Sequence, residues 1–264
     1  MTMWLSVLIA FLGMTGPASL DRETAIIEAC RTWSRSSDNQ SQPVRQIASD
    51  GLCFSGPIND ETSAAFVSAL SKFEPSAPVV VVVNSGGGEI NAGMAMGEAL
   101  IPLQTTVVAQ TVCASSCANY LFTAGDRRVI DDDALLLFHG GAHRLDEAQL
   151  RKAIAAQVAA EQVEAQVAGV RAGVQKQIDR QDAFLRRAGV DVNFFRWMAG
   201  FNDLSEDGRL ALCPTPDPVM ILYSDRLLAT HGVTVDASRG PRSQAALDAA
   251  VRALGRSDAV CFMR

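Results

Sequence analysis

An uninterrupted run of five valines at positions 79–83 constrains the fold of this 264-residue chain more than any other feature. A β-branched run without polar alternation predicts a strand buried on both faces, as in a parallel sheet covered by helices. Helical patterns at 92–100 and 116–123 alternate with strand patterns at 105–112 and 134–138. This alternation is typical of stacked βαβ units and predicts an α/β fold.

A long helical segment follows the predicted core. Residues 145–188 are rich in Ala, and their apolar residues recur at the helical period, while Gly169 and Gly173 predict a bend or break. The segment either packs on the sheet or forms an arm for homo-oligomerisation or partner contact. We divide the chain into 1–18 (export signal), 24–50 (helix and linker), 51–144 (α/β core), 145–188 (helical segment) and 189–264 (completion of the same domain).

The N-terminus indicates export. Residues 4–14 are uncharged and mostly apolar, and they precede Thr15-Gly16-Pro17-Ala18-Ser19, which is typical of a secretory signal cleaved near Ala18. No Lys or Arg precedes the apolar run, so an uncleaved membrane anchor and a buried first helix remain alternatives. Six cysteines, an even number, fit an oxidising compartment. We therefore expect a periplasmic or secreted protein.

Charge and lysine content exclude two classes of function. The net charge of −6 and the lack of a Lys/Arg cluster argue against nucleic acid as a partner. No lysine follows a glycine-rich stretch, so the chain has no Walker A loop. We expect neither a cofactor nor a metal.

Three elements between residues 84 and 139 carry the chemistry. Gly86-Gly87-Gly88 follows the valine strand, and consecutive glycines bring backbone N–H groups close enough to a ligand to stabilise an oxyanion. Ser115-Ser116 lies where a β-rich segment meets a helix, so a hydroxyl there is either a nucleophile or a helix N-cap. His139 ends a predicted strand beside two glycines, where it is either a general base or a structural residue.

Together these motifs resemble the Clp protease proteolytic subunit and, more loosely, signal peptide peptidase A. The similar stretches are Asn84-Ser85-Gly86-Gly87-Gly88, the segment from Ser115 to Phe122, Ala124-Gly125-Asp126-Arg127-Arg128, and His139 23 residues after Ser116. The resemblance implies a ClpP/crotonase-like spiral of ββα units, here with a long inserted helical segment. It also implies a serine peptidase with Ser116 as the nucleophile and His139 as the general base. The N–H groups of Gly87, Gly88 and Cys117 would form the oxyanion hole.

The catalytic acid is where the chain departs from the family. The family's aspartate position falls on Met220, so Asp217 in a proline-rich loop is the nearest replacement and Asp191 a weaker one. The serine–lysine mechanism of signal peptide peptidase A lacks support, because neither Lys152 nor Lys176 has a recognisable context.

Three functions remain open. The first is an exported serine peptidase acting on peptides or proteins, and the second is an inactive binding or assembly module on the same scaffold. The third is a crotonase-type acyl-CoA enzyme, against which export argues.

Two cysteines bracket the serine pair. A Cys113–Cys117 disulfide would brace the turn if the two Cα atoms lie within about 7 Å. The alternatives are two buried thiols, or zinc ligation with His139 and His143, a less attractive arrangement. Cys30 with Cys53 and Cys213 with Cys261 are further pairs, although six cysteines permit fifteen connectivities.

Overall fold

The computed structural model describes residues 17–264 except 202, 203, 214, 216 and 217. The expected export signal at 1–18 therefore lies almost entirely outside the described residues. The strands are β1 Val44–Ala48, β2 Gly51–Ser55, β3 Pro78–Ser85, β4 Gln104–Ala114, β5 Arg127–Ile130, β6 Leu135–Leu137, β7 Met220–Tyr223, β8 Ala237–Ser238 and β9 Val260–Met263.

Helices pack on both faces of the main sheet, and further helices lie in the second half of the chain. The α-helices are α1 Pro17–Ser34, α2 Asp38–Ser41, α3 Asp60–Leu70, α4 Ile90–Leu100, α5 Glu147–Ala155, α6 Val163–Arg187, α7 Asn193–Gly200, α8 Glu206–Leu212, α9 Asp225–Thr230 and α10 Gln244–Ala253. A π-helical segment, Cys117–Phe122, follows β4, and a short 3₁₀ helix, Ala160–Gln162, precedes α6. Within the described part of the chain, no helix is both long and apolar enough to cross a bilayer.

The main sheet has seven strands in the order β1-β2-β3-β4-β5-β8, with β6 paired to β4. Strands β2 to β5 pair in parallel, and only the edge strand β1 is antiparallel. The valine run lies in β3, between β2 and β4, which confirms the predicted α/β fold with a parallel buried strand. Val81 and Val83 face the main core, whereas Val82 packs with Ile26 and Trp33 of α1 on the other face.

The long helical segment does not break at its two glycines, where the sequence predicted a bend or break. Helix α6 runs for 25 residues through Gly169 and Gly173, and the interruption lies earlier, between α5 and the 3₁₀ helix. A Cβ at either glycine would meet nothing within 4 Å, so neither glycine marks a close approach. A glycine inside a helix costs only about 1 kcal/mol. Burial of Phe184 and Leu185 near its C-terminus anchors the helix to the core.

All six cysteines are paired, in the three combinations considered from the sequence. Cys30–Cys53 joins α1 to β2, Cys213–Cys261 joins the residue after α8 to β9, and Cys113–Cys117 spans the end of β4. Disulfides persist in oxidising compartments, so these three bonds indicate an oxidising environment.

Candidate active site

Ser115 occupies the turn between β4 and the π-helical segment. Its φ of +56° lies in the left-handed region, which a residue with a Cβ adopts only under constraint and which is concentrated at functional sites. Two backbone hydrogen bonds hold it there: its N–H donates to the carbonyl of Leu137 (2.9 Å), and its carbonyl accepts from the N–H of Asn119 (2.8 Å). The side chain is partly exposed, so its hydroxyl is accessible from solvent.

His139 meets this serine because of strand register. Strand β6 runs parallel to β4 with Leu137 paired to Ala114, so the residues just beyond both strand ends become neighbours. The Nε2 atom of His139 lies 2.6 Å from the Oγ atom of Ser115, although 24 residues separate them in sequence. This is the hydrogen-bond distance between a nucleophile and its general base.

The environment of His139 favours the neutral imidazole. Partial desolvation by the surrounding protein lowers the pKa of His139, although its side chain remains exposed to solvent on one side; a hydrogen bond with the Gly140 backbone opposes this, and the nearby His143 lowers the pKa further. A neutral ring at Nε2 can accept the proton of the serine hydroxyl. The side-chain amide of Asn119 donates to the His139 carbonyl (3.0 Å), which fixes the backbone that carries the ring.

Ser116, the nucleophile expected from the sequence, is placed elsewhere. It is only 2% exposed, and its hydroxyl donates to the carbonyl of Gly88 (2.8 Å) rather than meeting His139. Its Cβ packs against helix α4, because a Cβ added to Gly93 would lie 2.9 Å from it. The left-handed turn at Ser115 sends consecutive side chains in different directions, so one serine faces His139 and the other ties down the glycine loop. The sequence pattern alone does not predict this torsion angle.

The glycine loop lies directly against the turn. Gly87 has a φ of +92°, and a Cβ there would lie 2.5 Å from the Ala114 carbonyl oxygen and 2.6 Å from the Ser115 Cβ. Only glycine permits this approach. The Gly87 N–H donates to the Oγ of Ser85 (3.1 Å), and Gly88 forms a parallel bridge with Ile58.

Further N–H donors come from the helix that follows Ser115. The N–H groups of Ser116 and Cys117 belong to its first turn, where N–H groups have no acceptor within the helix. Such donors at a helix N-terminus favour an anion. The expected oxyanion donors Gly87, Gly88 and Cys117 thus lie in the two segments that meet at Ser115, and Ser116 adds a fourth N–H.

The disulfide Cys113–Cys117 encloses the serine turn. The two Cα atoms are 5.2 Å apart, and both residues are fully buried. Because these sulfurs are bonded to each other, they are not thiolate ligands for zinc. In the described ranges, no group of three or more His, Cys, Asp or Glu residues has the arrangement to hold a metal ion.

The third member of a triad is not defined by the described residues. Asp217 lies outside them, and Asp191 is engaged elsewhere: a hydrogen bond from the Asn193 N–H lowers its pKa, and it pairs with His231. An antiparallel bridge between Phe138 and Ile221 brings the preceding residue, Met220, next to the backbone of His139. An apolar side chain therefore stands where the sequence resemblance placed the acid.

Comparison with known proteins identifies one family. The sequence model of the Clp protease family matches residues 35–170, which are 136 of the 264 residues. The match contains the glycine loop, the serine turn, His139 and the beginning of the long helical segment. Among curated protein sequences, the search found no match.

Proposed function

Because this chain belongs to the Clp protease family, we propose that it is an exported serine peptidase that uses Ser115 as its nucleophile and His139 as its general base. The observation that carries the proposal is the 2.6 Å separation between Ser115 Oγ and His139 Nε2. The left-handed backbone of Ser115, at the start of a helix, supports the same assignment.

The reaction follows from the positions of these atoms. As Ser115 Oγ bonds to the substrate carbonyl carbon, its proton passes to His139 Nε2 and the carbonyl oxygen becomes an oxyanion. Breaking the C–N bond transfers the proton from His139 to the leaving amine. Water then attacks the Ser115 ester while His139 accepts a proton from it; as the ester C–O bond breaks, His139 returns this proton to Ser115 Oγ and the carboxylic acid product leaves.

Backbone N–H groups supply the oxyanion hole in this proposal. Ser116 and Cys117 contribute donors at a helix N-terminus, and Gly88 contributes one from the loop packed against Ser115, while the N–H of Gly87 would have to leave Ser85 Oγ to join them. Donors of this kind are fixed before the reaction and cost no reorganisation when charge develops. Loss of one such donor lowers kcat by about 10²–10³-fold in a serine peptidase.

The third group in this proposal is Asp217. It lies three residues before Met220, which neighbours the His139 backbone. The segment that contains it is tethered at one end by the Cys213–Cys261 disulfide and at the other by the hydrogen bond from the Val219 N–H to Ala259. A carboxylate there would orient the imidazole and stabilise its protonated form.

The compartment and assembly belong to the same proposal. Three disulfides support export, with residues 1–18 as the signal and an uncleaved membrane anchor as the alternative. Substrates are then peptides or proteins outside the cytoplasm. The pair of helices α5 and α6, which leaves Leu145 and Val170 exposed, is the surface that we assign to homo-oligomer contact.

A fluorophosphonate probe tests the proposal without knowledge of the substrate. Ser115 attacks phosphorus, fluoride leaves, and the hydroxyl proton passes to His139. We expect the oxidised wild type to carry one adduct on Ser115 by peptide mass spectrometry, and Ser115→Ala and His139→Ala to lose it. Ser116→Ala, which loses one hydrogen bond worth about 1 kcal/mol, should still react. An adduct on Ser116, or full labelling of Ser115→Ala, would contradict the assignment.

One observation favours the binding module as a second function. No ion pair or hydrogen bond joins a described carboxylate to His139. If folded, oxidised wild type fails to label, the scaffold serves binding rather than hydrolysis.

A further inference from the structure

We propose that Gln181 of helix α6 is a positioning residue that holds the backbone after His139 in its reactive arrangement. The inference rests on the proposed function, because it assigns Gln181 a role in the Ser115–His139 reaction. It links the long helical segment to the site through one buried side chain.

Gln181 is 2% exposed and makes three hydrogen bonds. Its Nε2 donates to the carbonyl of Ala142 (3.1 Å), and its Oε1 accepts from the N–H of Ala142 (2.8 Å). The same Oε1 accepts from the hydroxyl of Tyr120 (2.8 Å). The amide therefore holds both polar groups of one residue, as a neighbouring strand would, and these bonds fix the orientation of the amide itself.

The bonds join the two segments that carry the reacting side chains. Ala142 lies three residues after His139, whereas Tyr120 lies in the π-helical segment that begins just after Ser115. Burial raises the pKa of Tyr120, so its hydroxyl remains protonated and continues to donate. Tyr120 also packs edge-on against Phe184, one turn along α6 from Gln181.

The segment after His139 depends on such a restraint. Gly140 and Gly141 separate His139 from Ala142, and two consecutive glycines allow many backbone conformations. Gln181 packs so closely that a Cβ on Gly141 would lie 2.1 Å from its Oε1. Asn119 holds the His139 carbonyl and Gln181 holds Ala142, so both ends of the glycine pair are fixed. A misplacement of about 1 Å costs an enzyme as much as 10²-fold in rate.

The test compares variants by the rate constant of fluorophosphonate labelling per active site. Gln181→Leu removes all three hydrogen bonds, and we expect about a tenfold lower rate constant with the adduct still on Ser115. Gln181→Asn, which keeps an amide but shortens the side chain, should show the same direction of change. Tyr120→Phe removes only one bond and should lose about threefold.

Leu185→Ala is the matched structural control. Leu185 is fully buried in the same helix, but its apolar side chain makes no hydrogen bond to the segment after His139. Its replacement should lower the melting temperature and leave the labelling rate per folded site unchanged. Titration of active sites separates the folded fraction from the rate per site. With p-nitrophenyl acetate, Gln181→Leu should lower kcat and leave KM unchanged.

The outcomes separate the inference from the proposed function. If the wild type does not label, the proposed function fails. If the wild type labels and both Gln181 variants label at the wild-type rate per site, the positioning role is overturned while the peptidase stands. A loss in Leu185→Ala equal to that in Gln181→Leu would also overturn it, because general loosening of the core would then explain both.

Discussion

Cys113 and Cys117 are joined by a disulfide that encloses Ser115, so the proposed nucleophile lies within a covalent loop between β4 and the π-helical segment. A loop this short constrains the unfolded chain little, and the chain-entropy relation gives about 2 kcal/mol for it. The same relation gives about 3 kcal/mol for Cys30–Cys53, which spans 23 residues. We therefore expect the Cys113–Cys117 disulfide to act mainly on the geometry of the serine turn, and Cys30–Cys53 mainly on the stability of the fold.

We predict that removing the Cys113–Cys117 disulfide lowers the labelling rate strongly and the melting temperature only slightly. In a Cys113→Ala/Cys117→Ala double variant, the turn relaxes from the left-handed conformation of Ser115, and the labelling rate should fall about tenfold. The melting temperature should fall by only a few degrees, because about 2 kcal/mol is lost. Labelling kinetics and thermal unfolding on the same samples provide the measurement.

The Cys30→Ala/Cys53→Ala variant is the control. It breaks a disulfide that packs under α1, on the face of the sheet opposite the main core. It should lose more stability and keep the wild-type labelling rate per folded site. If the two double variants lose labelling equally, the disulfide at the turn has no particular role in the site.

A second prediction concerns the glycine loop. Gly87→Ala would place a methyl group 2.5 Å from the Ala114 carbonyl oxygen at a φ of +92°, so the loop or the serine turn must move. We expect a loss of stability of about 1–3 kcal/mol and at least a tenfold lower labelling rate. Denaturant unfolding and labelling kinetics measure the two effects.

Gly86→Ala is the control for that prediction. A Cβ on Gly86 meets nothing within 4 Å, although this residue is adjacent to Gly87. We expect stability within about 0.5 kcal/mol of wild type and unchanged labelling. Equal damage from both substitutions would show that the loop needs flexibility in general rather than close approach at Gly87.

The fold, and the meeting of the glycine, serine and histidine motifs at one candidate site, could be predicted from the sequence because both depend on local patterns. Five consecutive valines predict a buried parallel strand, and the glycine, serine and histidine motifs each follow a strand end. Parallel strands bring such ends together at one edge of the sheet. The register of β4 with β6 then makes neighbours of Ser115 and His139.

The choice between two adjacent serines could not be predicted in this way. It depends on one backbone torsion, φ of +56° at Ser115, which is fixed by the hydrogen bond from the Ser115 N–H to Leu137 and the one from the Asn119 N–H to Ser115. The role proposed for Gln181 could not be predicted from the sequence either. It depends on contacts with Ala142 and Tyr120, which lie 39 and 61 residues away in sequence. Gln181 is one of four glutamines on α6, and the sequence does not distinguish it from the other three.

The pH dependence of labelling should follow the neutral form of His139. Partial desolvation lowers the pKa of this histidine below its ordinary value of about 6.5, and only the unprotonated ring accepts the Ser115 proton. In Asp217→Asn, which lacks the carboxylate proposed to stabilise protonated His139, the labelling rate should therefore rise with pH, with an inflection below about 6.5 and a plateau at neutral pH. His143→Gln removes a charge that lowers the pKa of His139, so its inflection should move upward. An inflection well above 6.5 in Asp217→Asn would contradict this environment.

The last prediction tests Asp217 as the group that orients the imidazole. Asp217→Asn keeps the size of the side chain but removes the negative charge that would stabilise protonated His139, so the labelling rate should fall at least tenfold. The comparison uses stopped-flow labelling at a pH on the plateau, where His139 is neutral in the resting enzyme.

Asp191→Asn provides the matched control, since Asp191 pairs with His231 and its removal changes a carboxylate outside the site. It should label at the wild-type rate. If Asp217→Asn also labels at that rate, the reaction proceeds with Ser115 and His139 alone, and the hydrogen bonds of Asn119 and Gln181 to the backbone around His139 do the orienting that a carboxylate performs in a triad. The Gln181 variants should then lose more activity than Asp217→Asn. Comparing the two losses shows whether a carboxylate charge or a backbone restraint orients the His139 imidazole.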